Sequence, residues 1–198
     1  MLDIGCGDGS TLDALSQLGW QVEGVDFDPA AVDGASRRGL RVQLGTLEAQ
    51  HYPDGAFDAV TANHLIEHVR KPGAFLRECH RILRPGGTLV ILTPNAQGLG
   101  HQRFGPAWRG LEPPRHLQVF TAPALDRLAE QAGFRERRLC SSARMAAFIH
   151  RQSSDLQRGT PGVRTSGLAA ACFQFDERRR LHADPWAGEE LILVASRI

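Results

Sequence analysis

The feature that most constrains this chain lies at its very start. Leu2-Asp3-Ile4 reads as the end of a strand, and the glycine loop Gly5-Cys6-Gly7-Asp8-Gly9 follows at once. Ser10 then caps a helix whose apolar positions are Leu12, Leu15 and Leu18, and Gly19 stops it. A second strand, WQVEGVDF, follows and ends at Asp26. Strand, glycine turn, helix and strand in quick succession mark a parallel sheet with a helix laid across it.

The same rhythm continues. Pro29 suits the first turn of a second helix running to about Arg38. LRVQL reads as a third strand and AFDAVTAN as a fourth, with a helix expected near His64. A further helix is expected from Pro72 to Leu83, with Phe75, Leu76, Cys79 and Leu83 on one face. RPGG reads as a turn before TLVILT, a fully apolar fifth strand. Near-continuous apolar strands imply cover on both faces. The expected fold class is therefore α/β, a Rossmann-like doubly wound sheet.

Beyond Pro94 the pattern loosens. Residues 94–120 are rich in Gly, Pro, Arg and His and read as a long substrate loop beside a strand end. APALDRLAEQAGF returns to helix, FRERRLCSS reads as a sixth strand and ELILVAS as the last. Residues 145–185 form an unusually long connection. ARMAAFIHRQ and SGLAAACFQF have helical character around RGTPG, which suggests a helical insertion or lid. All of this fits one domain over residues 1–198, since 42% hydrophobic residues suffice for one core.

Composition narrows the partners. No apolar run approaches the roughly 20 residues that cross a bilayer, and no secretory leader is visible, so a cytoplasmic protein off the membrane is expected. A formal net charge of +1 offers no general case for nucleic acid. Cys6, Cys79, Cys140 and Cys172 form no C-x-x-C pair, which gives no zinc ribbon or redox motif.

The glycine loop and Asp26 belong together. A glycine turn lets backbone approach a ligand, and an acid about 20 residues on can hold ribose hydroxyls. The loop reads Gly5-x-Gly7-x-Gly9, so its third glycine comes one residue earlier than the dinucleotide pattern asks. Asp8 adds negative charge where a pyrophosphate would sit. Both features disfavour NAD and suit a phosphate-free nucleoside ligand such as S-adenosylmethionine.

The stretches LDIGCGDGSTLDALSQLGWQVEGVDFDPAAV and FDAVTANHLIEHVRKPGAFLRECHRILRPGGTLVILTPN resemble the class I S-adenosylmethionine-dependent methyltransferases. Within that superfamily they are similar to the small-molecule branch that includes the ubiquinone-biosynthesis O-methyltransferases. The resemblance covers about residues 1–134 and the last strand. It implies seven strands, mostly parallel, with the last one antiparallel between its neighbours. It also implies roles at matched positions. Gly5, Cys6 and Gly7 would pass the methionine part of the cofactor, and Asp3 would orient that loop or meet the amino group. Asp26 would hold both ribose hydroxyls and Phe27 would flank the adenine. Asn63 and His64 would face the methionine end. Relatives often carry an acid after the third strand, where this chain has Gly45-Thr46-Leu47. Thr46 or the backbone of Leu47 would stand in for it. Relatives also carry a helix before the glycine loop, so the N-terminus reads as truncated.

His64, Glu67 and His68 spell H-x-x-E-H, a pattern of inverted zinc peptidases. Following a buried parallel strand, His64 reads instead as the edge of a nucleoside-binding sheet, Glu67 and His68 read as helix-orienting residues, and no metal is expected. His116, in PPRHLQVF, and His64 are the candidate catalytic bases, with Trp108 and Arg115 as candidate walls of an acceptor pocket. The expected function is methyl transfer to a small molecule, most simply at a hydroxyl oxygen. The alternatives are a non-catalytic binding or scaffold protein that kept the fold, and an NAD-dependent oxidoreductase.

Overall fold

The computed structural model describes residues 1–159 and 166–198. Most of the expected RGTPG break lies outside the described residues. In chain order the strands are β1 (Leu2–Ile4), β2 (Glu23–Asp26), β3 (Val42–Leu44), β4 (Phe57–Asn63), β5 (Leu83–Pro94), β6 (Glu136–Ser142) and β7 (Glu190–Ser196). The helices are α1 (Ser10–Gln17), α2 (Pro29–Arg37), α3 (Pro72–Ile82), α4 (Leu99–Phe104), α5 (Ala122–Gln131), α6 (Ala146–Arg158) and α7 (Gly167–Arg180).

The seven strands form one sheet in the order β3-β2-β1-β4-β5-β7-β6. β1 pairs in parallel with β2 (Asp3 opposite Gly24) and with β4 (Asp3 opposite Thr61). β7 runs antiparallel between β5 and β6, with Leu193 opposite both Ile91 and Leu139. The winding direction reverses between β1 and β4. A crevice therefore opens outside the C-terminal ends of those two strands, where folds of this kind bind ligands.

The main core explains the apolar runs. Leu2, Val60, Leu89, Ile91 and Leu193 are fully buried in the sheet, under Leu76 and Ile82 of α3 and Leu125 of α5. A second, smaller core joins Leu99 and Phe104 of α4, Trp108, Ala146 of α6 and Phe173 of α7. It sits beside the start of β7 and ties the 94–120 segment to the two insertion helices. No helix among the described residues is long and apolar enough to cross a membrane.

Three local expectations are corrected. No α-helix forms at His64; between β4 and α3 there is one 3-10 turn, Ile66–His68. His64 takes a left-handed φ of 49° and Leu65 a φ of −121°, so a helix cannot start at His64. His64 and His68 thus share no helical face. The RPGG turn is absorbed into a long β5, where Gly86 bends the strand at φ 78°. The 94–120 segment is not a bare loop, because it carries α4 and two 3-10 turns, Gly105–Ala107 and Arg109–Leu111.

One buried acid gives the fold a pH signature. Glu177 of α7 is fully buried and accepts a hydrogen bond from the Glu189 backbone N–H at 2.7 Å, while its Oε2 has no partner. Burial first, then the neighbouring Glu189 carboxylate, raises its pKa to about 8. The folded state therefore holds this proton more tightly than the unfolded chain, and stability falls as pH rises from the ordinary carboxylate range to about 8. Glu177→Gln keeps the acceptor oxygen without the charge. It is expected to flatten that fall and to raise stability by more than about 1 kcal/mol at pH 8. Urea denaturation at pH 5 and pH 8 checks this; equal midpoint shifts at both values would contradict it.

Candidate functional site

The glycine loop is built by backbone need. Gly5, Gly7 and Gly9 all have positive φ, at 70°, 54° and 76°, which side chains resist. The turn is clamped to β2. Gly5 N–H donates to the Val25 carbonyl at 2.8 Å, and Gly7 N–H donates to Asp26 Oδ2 at 2.8 Å. Asp26 Oδ1 accepts from Asp28 N–H at 2.9 Å. These bonds fix the Asp26 carboxylate at the tip of β2, 8% exposed. Each of its oxygens retains a lone pair for a further donor.

A cavity of about 420 Å³ opens over this tip. Gly5, Asp26, Phe27, Thr46, Leu47 and His68 are among the residues that border it, with Val25, Leu65 and Phe75 as apolar wall. Asp26 at the edge of this hollow, whose border also carries Glu48, Arg70 and Lys71, offers the acceptor that a nucleoside's ribose hydroxyls need. A pyrophosphate fits poorly, because Asp8 Oδ1 already accepts from Ser10 N–H at 3.0 Å at the start of α1. That is where a dinucleotide's phosphates would seek N–H donors.

A second cavity, of about 310 Å³, lies alongside and shares His68 with the first. Its polar end carries His64, His68, His116, Glu189 and Glu190, and its apolar end Met145, Phe148 and Ile149 of the α6 region. Glu189 organises this wall. Its carboxylate accepts from the Trp108 indole N–H at 2.8 Å and from Gly100 N–H at 2.5 Å, so the start of β7 pins the 94–120 segment. Glu112 is held by Arg109 and Arg115, and the Arg109 pairing first lowers its pKa.

The comparisons with known proteins bear on this pair of cavities. A family model described as "Methyltransferase domain" matches residues 1–138. The chain belongs to this methyltransferase family. A "Probable S-adenosylmethionine-dependent methyltransferase" of Mycolicibacterium smegmatis is 35% identical over 136 residues, covering 68% of this chain and 51% of that protein. A "Ubiquinone biosynthesis O-methyltransferase" of Xanthomonas oryzae is 40% identical over 104 residues, covering 48% of this chain and 43% of that protein. The chain thus spans about half the length of these curated relatives. A Thermotoga maritima structure described as a SAM-dependent methyltransferase, possible histamine N-methyltransferase, superposes with a TM-score of 0.68 at 19% identity. It covers all of this chain and 81% of its own. That likeness shows the fold. The cofactor of the methyltransferase is S-adenosylmethionine, and the first cavity presents in Asp26 an acceptor of the kind that ribose hydroxyls need.

The two cavities gather some expected residues and not others. Gly5, Asp26, Phe27, Thr46 and Leu47 border the first cavity. Asp3, Cys6, Gly7 and Asn63 border neither. Asp3 is 2% exposed inside β1 and accepts a 2.5 Å hydrogen bond from Thr61 Oγ1; burial raises its pKa to about 6. Cys6 is buried behind the loop, and burial pushes its thiol up to about 12. Gly7 acts through its clamp on Asp26. Asn63 ends β4 without reaching either hollow.

His64, expected as a base, is held between two carboxylates. Its Nε2 lies 2.8 Å from Glu190 Oε1 and its Nδ1 3.5 Å from Glu67 Oε1. These two carboxylates, Glu190 first, raise its pKa to about 9. At neutral pH it is an imidazolium that keeps its proton. The stability from this pairing is fully present below the ordinary histidine range and is lost as pH rises through about 9. Glu190→Gln is expected to bring the His64 titration down toward 6.5, read by imidazole NMR; an unchanged midpoint would contradict the pairing.

His116 does reach the second cavity. Its Nδ1 donates to the Gly110 carbonyl at 2.7 Å, and its ring meets His68 edge-on at 4.7 Å between centroids. His68 was read from sequence as a helix-orienting residue, yet it borders both cavities. Its Nδ1 donates to the Arg115 carbonyl at 2.8 Å. A carbonyl can only accept, so in a neutral His68 ring Nε2 carries the lone pair, whereas His116 Nε2 lies 3.5 Å from Glu112 Oε2. Glu67, His68 and His116 also place ligand atoms within 4.8 Å of one another, and Glu67 Oε1 has no hydrogen-bond partner. These three could hold a cation, a grouping the sequence reading did not foresee. Glu189 and Glu190 were missed as well. Two adjacent acids opening the apolar strand LILVA were the available signal.

Proposed function

We propose that this chain transfers a methyl group from S-adenosylmethionine to the hydroxyl of a small molecule held in the second cavity. The observation that carries the reading is His68, which borders both cavities with Nδ1 committed to a carbonyl and Nε2 free. S-adenosylmethionine supplies a methyl already activated by its sulfonium. The protein's task is then to align the acceptor oxygen, exclude water and remove a proton.

The residues divide that work. Asp26 holds the ribose and the apolar wall takes the adenine. Met145, Phe148 and Ile149 receive the apolar body of the acceptor. His68 Nε2 takes the hydroxyl proton, steadied by the neighbouring His116 ring. The imidazolium of His64 with the carboxylates of Glu67 and Glu190 carries a net negative charge, which favours a cationic cofactor nearby. The likeness to the O-methyltransferase of Xanthomonas oryzae supports oxygen as the accepting atom.

The test is incubation with methyl-13C-labelled cofactor and a cell extract's small-molecule fraction, read by 13C NMR. A single new O-methyl resonance is expected. Label found only in N-methyl products, or only in protein or nucleic acid, would overturn the reading. Chelation by EDTA is expected to leave turnover intact. Loss on chelation, restored by added magnesium, would reassign His68 from proton acceptor to cation ligand beside Glu67 and His116.

A further inference from the structure

A third hollow lies on the far side of α6 from the acceptor cavity. It is a cleft of about 540 Å³ between α4, α6 and the start of α7. Arg103, His150, Ser154, Arg158 and Ser166 border it. Its charge is one-sided. Asp155, the one acid of α6, is not among its lining residues, and α4 carries no acid. Arg103 and Arg158 form no ion pair with any described residue. Arg103 lies over the rings of Phe104 and Phe173, 5.7 and 5.8 Å from their centroids. His150 packs on the same two rings at 5.4 and 5.0 Å. The guanidinium and the imidazole are therefore held side by side on one aromatic floor.

Two further observations point to a ligand. His150 is 5% exposed, and its Nδ1 has no hydrogen-bond partner. A buried polar atom without a partner costs on the order of 1–3 kcal/mol, so a missing partner is implied. The 14-residue helix α7 begins at the cleft with no side-chain cap on Ser166 and no acid in its first turn. Its first N–H groups and the positive end of its dipole are thus left for an anion. Burial first, then the charges of Arg103, Arg158 and Arg151, lowers the His150 pKa, as expected for an imidazole facing cations.

We propose that this cleft binds a phosphate group, with Arg103 and Arg158 as its charge partners, His150 as a buried hydrogen-bond donor and the N-terminus of α7 as its cradle. Guanidinium pairs suit tetrahedral oxyanions because each offers two parallel donors. The cleft is larger than one phosphate, which leaves room for the body of a small phosphate ester. The cleft is separate from both methyltransferase cavities, so its occupant need not react.

Calorimetry on the full chain tests this with two probes, inorganic phosphate and glycerol 3-phosphate. Saturable binding of at least one is expected, and Arg103→Ala with Arg158→Ala is expected to weaken it by about tenfold or more. The same double variant should bind S-adenosylhomocysteine as tightly as the parent, which shows that the fold survives. Binding should also move the His150 imidazole NMR signals. Tighter binding of glycerol 3-phosphate identifies a phosphorylated small molecule as the occupant, and equal binding identifies the free ion. No saturable binding of either probe, or binding that the double variant leaves unchanged, overturns the proposal.

Discussion

Asp26→Ala is expected to weaken S-adenosylhomocysteine binding by about a hundredfold or more, read by calorimetry. The magnitude follows from two losses. Two hydroxyl hydrogen bonds to this buried carboxylate contribute roughly 1.5–3 kcal/mol each, and about 1.4 kcal/mol is a factor of ten. The second loss is in the loop. Asp26 also receives Gly7 N–H and Asp28 N–H, so its removal frees the glycine turn that shapes the cavity floor. Asp26→Asn separates the two. The amide oxygen can keep one clamp but gives up the charge, so an intermediate loss is expected. If Asp26→Ala bound the ligand like the parent, the first cavity would not be the nucleoside site.

His68→Gln is expected to lower kcat by about 10² to 10⁴, the usual span for one positioned proton acceptor. The affinity for S-adenosylhomocysteine should change little, because His68 meets only the border of the first cavity. Glutamine preserves a donor for the Arg115 carbonyl but has no basic nitrogen. The pH profile separates a chemical role from a packing role. A proton acceptor gives the parent an acid limb in its pH profile, and the variant should lack that limb. A variant that lost cofactor affinity and kcat together, with the acid limb intact, would show that His68 merely holds the cavities' shape. His116→Gln serves as the companion: a smaller loss is expected, since His116 borders only the second cavity.

Much of this architecture was legible because its signals are local. β1 is buried along its length and the TLVILT stretch of β5 has no exposed residue, so each reads as a short, mostly apolar run. Gly5, Gly7 and Gly9 are fixed by positive φ, a need written into the sequence as glycine. Asp26 is legible because it sits a fixed helix-and-strand length beyond the loop. The acceptor side was far less readable. His64 meets Glu190 across 126 residues, and Trp108 meets Glu189 across 81. Such pairs exist only because β7 inserts between β5 and β6, and no local pattern announces which residue then faces which. The turn after β4 failed for a similar reason. H-x-x-E-H has helical spacing, yet β4's exit at His64 forces a left-handed residue there, and that exit is set by tertiary packing.

The same distinction explains the histidines. His64 looks like a base by type and place, and only its two carboxylate neighbours make it an imidazolium. His68 looks like a helix residue by spacing, and only the 3-10 turn brings its ring between the cavities. Residue type limited the candidates; geometry divided the roles among them.

The most direct test of this account is a crystal structure of the chain with S-adenosylhomocysteine. The ligand is expected in the first cavity, with both ribose hydroxyls on Asp26, the adenine beside Phe27 and Leu47, and the sulfur directed toward His68 and the second cavity. A ligand seated elsewhere, or one whose sulfur points away from His68, would contradict the account.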